Sequence, residues 1–122
     1  MSEHMERRLH PRVQVQFEAR VSNLTTGGPS TLGRVADLSG SGISVILPRE
    51  LATGDCVQLE MADSKLTGHV IHSRPENSLF RVGIAMERAE LGSSSLAELL
   101  QRTLLDSMPG VPGVESLETR LC

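Results

Sequence analysis

A chain of 122 residues has room for one domain with one modest core, so any function sits on its surface or rim. Its formal net charge of -3 lacks the basic footprint of a duplex nucleic-acid binder, and no apolar run approaches the roughly 20 residues that span a bilayer. Two cysteines without CxxC spacing, and a polar start without a secretory apolar region, predict a reduced, cytoplasmic chain.

Residues 1–12 carry no strand or helix period and read as an N-terminal arm, in which Arg7, Arg8, His10 and Arg12 crowd around Pro11. From Val13 the pattern changes. Val13, Val15, Phe17, Ala19 and Val21 alternate with Gln14, Gln16, Glu18, Arg20 and Ser22, the period-2 signature of a half-buried antiparallel strand. Thr25 to Ser30 is a turn by composition, and Thr31 to Ala36 returns as a second strand. DLSGSG interrupts before GISVIL forms the third. Beyond a turn within Pro48 to Gly54, Val57, Leu59 and Met61 alternate as the fourth strand, and LTGHVIH forms the fifth. RPENS turns the chain again, and Phe80, Val82, Ile84 and Met86 mark the sixth. Short strands at this spacing predict a small barrel or sandwich over residues 13–88.

Residues 93–108 differ. Leu96, Leu99, Leu100 and Leu104 recur at helical spacing, and Ser95 followed by Glu98 reads as a capping box, so one amphipathic C-terminal helix covers the strands. Residues 109–122, with Pro-Gly breaks and no sustained period, read as a flexible tail.

Catalytic readings find no support. There is no HExxH, GxSxG or GxxxxGK[ST] motif, and Cys56 reads as a small half-buried residue without a nearby base. His69 and His72 suggest a metal pair, but on a regular strand a separation of three sends them to opposite faces. No catalytic residue, metal or resident cofactor is therefore expected.

Two motifs remain. Arg8 and Arg12 form an RxxxR, which with 11 Arg in the chain is expected by chance roughly once; Asp37-Leu-Ser39-Gly-Ser-Gly42 is a DxSxxG, expected only about 0.04 times. The plain alternative for the second is an Asx-type turn with glycines supplying the bend. Their order decides: RxxxR just before the first strand, DxSxxG between the second and third, then more strands and a terminal helix. This pattern resembles the PilZ domain, a bacterial receptor module for cyclic di-GMP, over Glu6 to Met86, and RVGIAM (Arg81 to Met86) is similar to the family's last barrel strand. Met86 departs from it, standing where members often carry an aromatic.

The resemblance implies an all-β fold, a six-stranded antiparallel barrel with a C-terminal α-helix. It also implies that Arg8 and Arg12 grip guanine edges and phosphates while Asp37, Ser39 and Gly42 complete a pocket on the barrel's outer surface, with Arg7, Gly40 and Ser41 beside them. The chemistry agrees: guanine O6 and N7 match a guanidinium fork, and two phosphates want charge-assisted donors. With no Trp or Tyr, and Phe17 and Phe80 on core faces, arginine must also supply the planar stacking surface. The resulting expectation is a cyclic di-GMP receptor whose arm is ordered by ligand and which signals to an effector protein. A PilZ-like adaptor that binds no nucleotide is the alternative, and an OB-like oligonucleotide binder is disfavoured by the acidic balance and missing aromatics.

Overall fold

The computed structural model describes residues 13–105 and Cys122. Six antiparallel strands form a closed barrel in the order β1-β2-β3-β6-β5-β4. They are β1 (Val13–Asn23), β2 (Thr31–Leu38), β3 (Gly42–Leu47), β4 (Cys56–Met61), β5 (Ser64–Glu76) and β6 (Leu79–Glu90). The ring closes where β1 pairs with β4, from Arg20↔Glu60 to Asn23↔Val57. Alternation delivers one side of each strand inward, and Val35, Val45, Leu47, Val57, Leu59, Leu66, Val70, Val82 and Ile84 form a core at or near zero exposure. Phe17 and Phe80 are partly buried against it.

The strands run longer than their alternation predicts. Asp37 and Leu38 belong to β2, and the interruption shrinks to Ser39–Ser41. RPENS is mostly strand: β5 extends through Glu76, and the reversal is Asn77-Ser78, whose φ values of 52° and 65° suit a tight primed hairpin turn. Pro75 is accommodated because β5 has by then outgrown β4, whose ladder on it ends at His69.

Bulges change the parity of three strands: the extra residues are Ala36 in β2, Ile71 in β5 and Glu87 in β6, while β1 keeps its alternation through the register shift between Gln14 and Phe17. The bulge at Ile71 overturns the argument that His69 and His72 face apart. Because Val70 pairs with Ile84 and His72 with Gly83, His69 and His72 both stand on the outer side, and the His72 ring lies over Gly83.

The helix α1 (Ser95–Leu100) continues into a π-type turn, Gln101–Leu105, and buries Leu100 and Leu104 completely in the core. Its N-cap is Ser94, one residue before the expected Ser95. Asp63 decides between adjacent serines: its carboxylate accepts from the Ser93 and Ser94 amides at 2.8 and 3.1 Å and from the Ser94 hydroxyl at 2.7 Å. Ser94 Oγ in turn accepts from the Ala97 amide at 3.1 Å.

One chemical expectation is corrected. Cys56 and Cys122 are not separate reduced thiols but a disulfide across 66 residues of sequence. The arm of residues 1–12 and the tail from Pro109 to Leu121 lie outside the described residues.

Candidate functional site

The β2–β3 hairpin is a tight one. Ser39 N–H donates to the Gly42 carbonyl at 2.9 Å and Gly42 N–H returns a bond to Ser39 at 3.4 Å, leaving Gly40 and Ser41 at the tip. Ser39 Oγ stands 3.5 Å from Ser41 Oγ. Gly42 is required by packing: a Cβ there would come within 2.3 Å of the Ile84 carbonyl oxygen on β6.

Asp37 owes its direction to the bulge just before it. With Ala36 set out of the ladder, Asp37 pairs with Ser44 rather than following Val35's alternation, and its carboxylate emerges on the outer face although only 8% of the residue is exposed. There it meets Arg81 of β6. The guanidinium donates Nη1–H to Asp37 Oδ2 at 3.2 Å, and Nε–H and Nη2–H to the two oxygens of Glu76 at 2.8 and 3.1 Å. The Glu76 bond, the larger influence, and both carboxylates raise the Arg81 pKa above its ordinary value, while Arg81's hydrogen bond holds Glu76 below the usual carboxylate range.

Arg81 also belongs to an outer row running across the sheet, in which Arg34 pairs with Ile46, Ile46 with Arg81, and Arg81 with Arg74. An open depression of about 470 Å³ lies over this row, lined by Val15, Gln16, Arg34, Ala36, Ile46, Glu76 and Arg81. Val15, Ala36 and Ile46 give it apolar patches, and its charged lining is Arg34, Arg81 and Glu76, of which the last two are bonded to each other.

Thus Asp37, Ser39, Gly40, Ser41 and Gly42 lie together at one end of this face. Arg7, Arg8 and Arg12 lie outside the described residues. The strand that follows them begins at the hairpin, since Val13 pairs with Leu38 and Gln14 with Asp37. Sequence reasoning missed Arg34, Glu76 and Arg81 as members of the face. The signal for Arg81 was present: it alternates outward between Phe80 and Val82 in a strand already marked by RVGIAM.

A profile described as PilZ domain matches residues 6–104, and the chain belongs to that family. Its members are non-enzymatic binding and adaptor domains, and the family is one of cyclic di-GMP receptors. No curated protein matches the chain. Among the described residues no helix is long and apolar enough to cross a membrane.

Proposed function

We propose that this chain is a cyclic di-GMP receptor that passes the ligand's level to a partner protein. The observation that carries the reading is the outward Asp37 carboxylate, set between the Ser39–Gly42 hairpin and Arg81 at the edge of an arginine-bearing depression. In this reading Arg8 and Arg12 reach the ligand from the arm, each offering N–H groups to guanine O6 and N7 or to a phosphate. Asp37 accepts from guanine N1–H and the 2-amino group, Ser39 donates its hydroxyl, and the hairpin backbone at Gly40, Ser41 and Gly42 comes close to the ligand. Arg7 stands next to the clamp and contributes less.

Coupling follows from order. Ligand gathers residues 6–12 against the barrel, and the gathered arm becomes a surface that an effector protein reads. The expected setting is the cytoplasm, with no duplex nucleic acid involved and no resident cofactor.

Calorimetric titration with cyclic di-GMP tests the reading and returns stoichiometry. Saturable binding supports it. Absence of binding by the folded chain would leave the nucleotide-free adaptor, with the same face serving a protein partner directly.

A further inference from the structure

Across β4, β5 and β6, four side chains with metal-ligand chemistry converge. Cys56 on β4 pairs in register with His69 on β5, and Cys122 is bonded to Cys56 with a Cα–Cα separation of 5.5 Å. The bulge in β6 sets Glu87 out of the ladder between Met86 and Arg88, and its Oε2 lies 2.5 Å from His69 Nδ1. Glu87 Oε1 accepts from the Cys122 amide at 3.0 Å, which anchors Cys122 in the same cluster. His69 Nδ1, a Glu87 oxygen and Cys122 Sγ all lie within 4.8 Å of one another, and the His69 and Glu87 side chains are 20% and 11% exposed.

Two cysteine sulfurs, an imidazole nitrogen and a carboxylate oxygen make a tetrahedral donor set for zinc, with bonds of about 2.3 Å to sulfur and about 2.0–2.2 Å to nitrogen and oxygen. Donors around such an ion stand roughly 3.3–3.8 Å apart, so the close His69–Glu87 pair opens and the wider pairs draw in by side-chain rotation once the sulfurs are separate. We propose that the dithiol form of this chain binds a zinc ion through Cys56 Sγ, His69 Nδ1, the Glu87 carboxylate and Cys122 Sγ, making disulfide and metal alternative occupants of one site.

The exchange balances. A dithiol reductant supplies two electrons and two protons; the Cys56–Cys122 bond breaks, both sulfurs become thiols, and the reductant closes to its own disulfide. Zinc then displaces both thiol protons to solvent and the proton between His69 Nδ1 and Glu87, which passes to Nε2 of the same ring, and is held by two thiolates, Nδ1 and the carboxylate. A disulfide oxidant reverses this by exchange: it takes the two electrons and leaves as two thiols, the Cys56–Cys122 bond re-forms, and the ion is released. A carboxylate hydrogen-bonded to the imidazole and to the Cys122 backbone holds three of the four donors in place beforehand, which favours the ion over an open pair of thiols.

The test uses the full chain, reduced with a phosphine, desalted without air and titrated with Co²⁺ as a spectroscopic stand-in. One equivalent should produce tetrahedral ligand-field bands and thiolate-to-metal charge transfer, both abolished when Zn²⁺ is added. The oxidised chain should show neither. His69→Ala should weaken the ion at least tenfold, and Cys122→Ser should remove much of the charge-transfer intensity. Cys122 lies outside the barrel strands, so its variant keeps the test valid if far-ultraviolet circular dichroism shows His69→Ala unfolded. No bands from the reduced wild type at micromolar Co²⁺ would overturn the proposal, as would equal binding by the oxidised chain or by Cys122→Ser.

Discussion

Arg81 Nη1 lies 3.2 Å from Asp37 Oδ2, joining β6 to the carboxylate that heads the DxSxxG hairpin. The Asp37 side chain is 11% exposed and that of Arg81 25%, so water screens the pair only in part.

Replacing Arg81 by Met keeps the stem and removes the charge, leaving Asp37 enclosed without its cation. Arg81→Met should therefore destabilise the fold by about 1–3 kcal/mol, read as a lower urea midpoint at unchanged slope. An unchanged midpoint would mean that water already satisfies Asp37.

The arm arginines should act on binding and not on folding. Arg8→Ala and Arg12→Ala are each expected to weaken cyclic di-GMP about tenfold or more, since a hydrogen bond to a charged group is worth roughly 1.5–3 kcal/mol. Arg7→Ala should cost less. Near-native affinity in both the Arg8 and Arg12 variants, measured by calorimetry, would remove the arm from the site.

Base choice provides a sharper check. Adenine sets an amino donor against the arginine donors and lacks both the N1–H and the 2-amino group that Asp37 would accept from, at roughly 1–3 kcal/mol per unpaired group. Cyclic di-AMP should bind orders of magnitude more weakly than cyclic di-GMP, and Asp37→Ala should narrow that gap while lowering affinity. Equal binding of both by the wild type would mean that charge alone holds the ligand.

Gly42 separates packing from ligand contact. A methyl group there meets the Ile84 carbonyl at 2.3 Å, so Gly42→Ala should shift β3 against β6 and cost about 1–3 kcal/mol. Ser41→Ala, at the exposed tip, should leave the melting temperature unchanged. A neutral Gly42→Ala would show that the strands part easily at this point.

Acid should weaken the fold in a defined window. Arg81's hydrogen bond lowers the Glu76 pKa, and the Ser94 hydroxyl followed by the Ser93 amide lowers that of Asp63. A carboxyl depressed in the folded state contributes stability above its unfolded value, and this is lost as pH falls through its folded value. Urea midpoints should thus decline below pH ~4, and Glu76→Gln with Asp63→Asn should flatten the decline. A profile as steep in the double variant would assign the acid sensitivity elsewhere.

What was legible in the sequence was what alternation and local chemistry determine. The core faces of β1, β3, β4 and β6 follow from Val13 onward because a half-buried strand must alternate. The DxSxxG residues gather because they are neighbours in the chain. The bulges at Ala36, Ile71 and Glu87 could not be read, since each depends on the register against a second strand. That is why His69 and His72 were sent to opposite faces, and why Glu87 was not placed beside His69. The Cys56–Cys122 pairing spans 66 residues and leaves no local trace. Three consecutive serines offered equal caps, and only Asp63, about 30 residues away in sequence, selects Ser94.

The ring of strands is unevenly fastened. β1 and β4 share four residue pairs, all within Arg20–Asn23, whereas β5 and β6 share eleven. Between Val13 and Ala19, β1 is laddered to β2 and has no ladder partner on its other side among the described residues. Opening that half forfeits bonds to one neighbour, whereas opening the middle of β6 forfeits bonds to two. Fraying therefore has a direction: it starts where the chain leaves the RxxxR segment and stops at the seam. A signal written on the arm would be written on a half-stave that a single ladder holds.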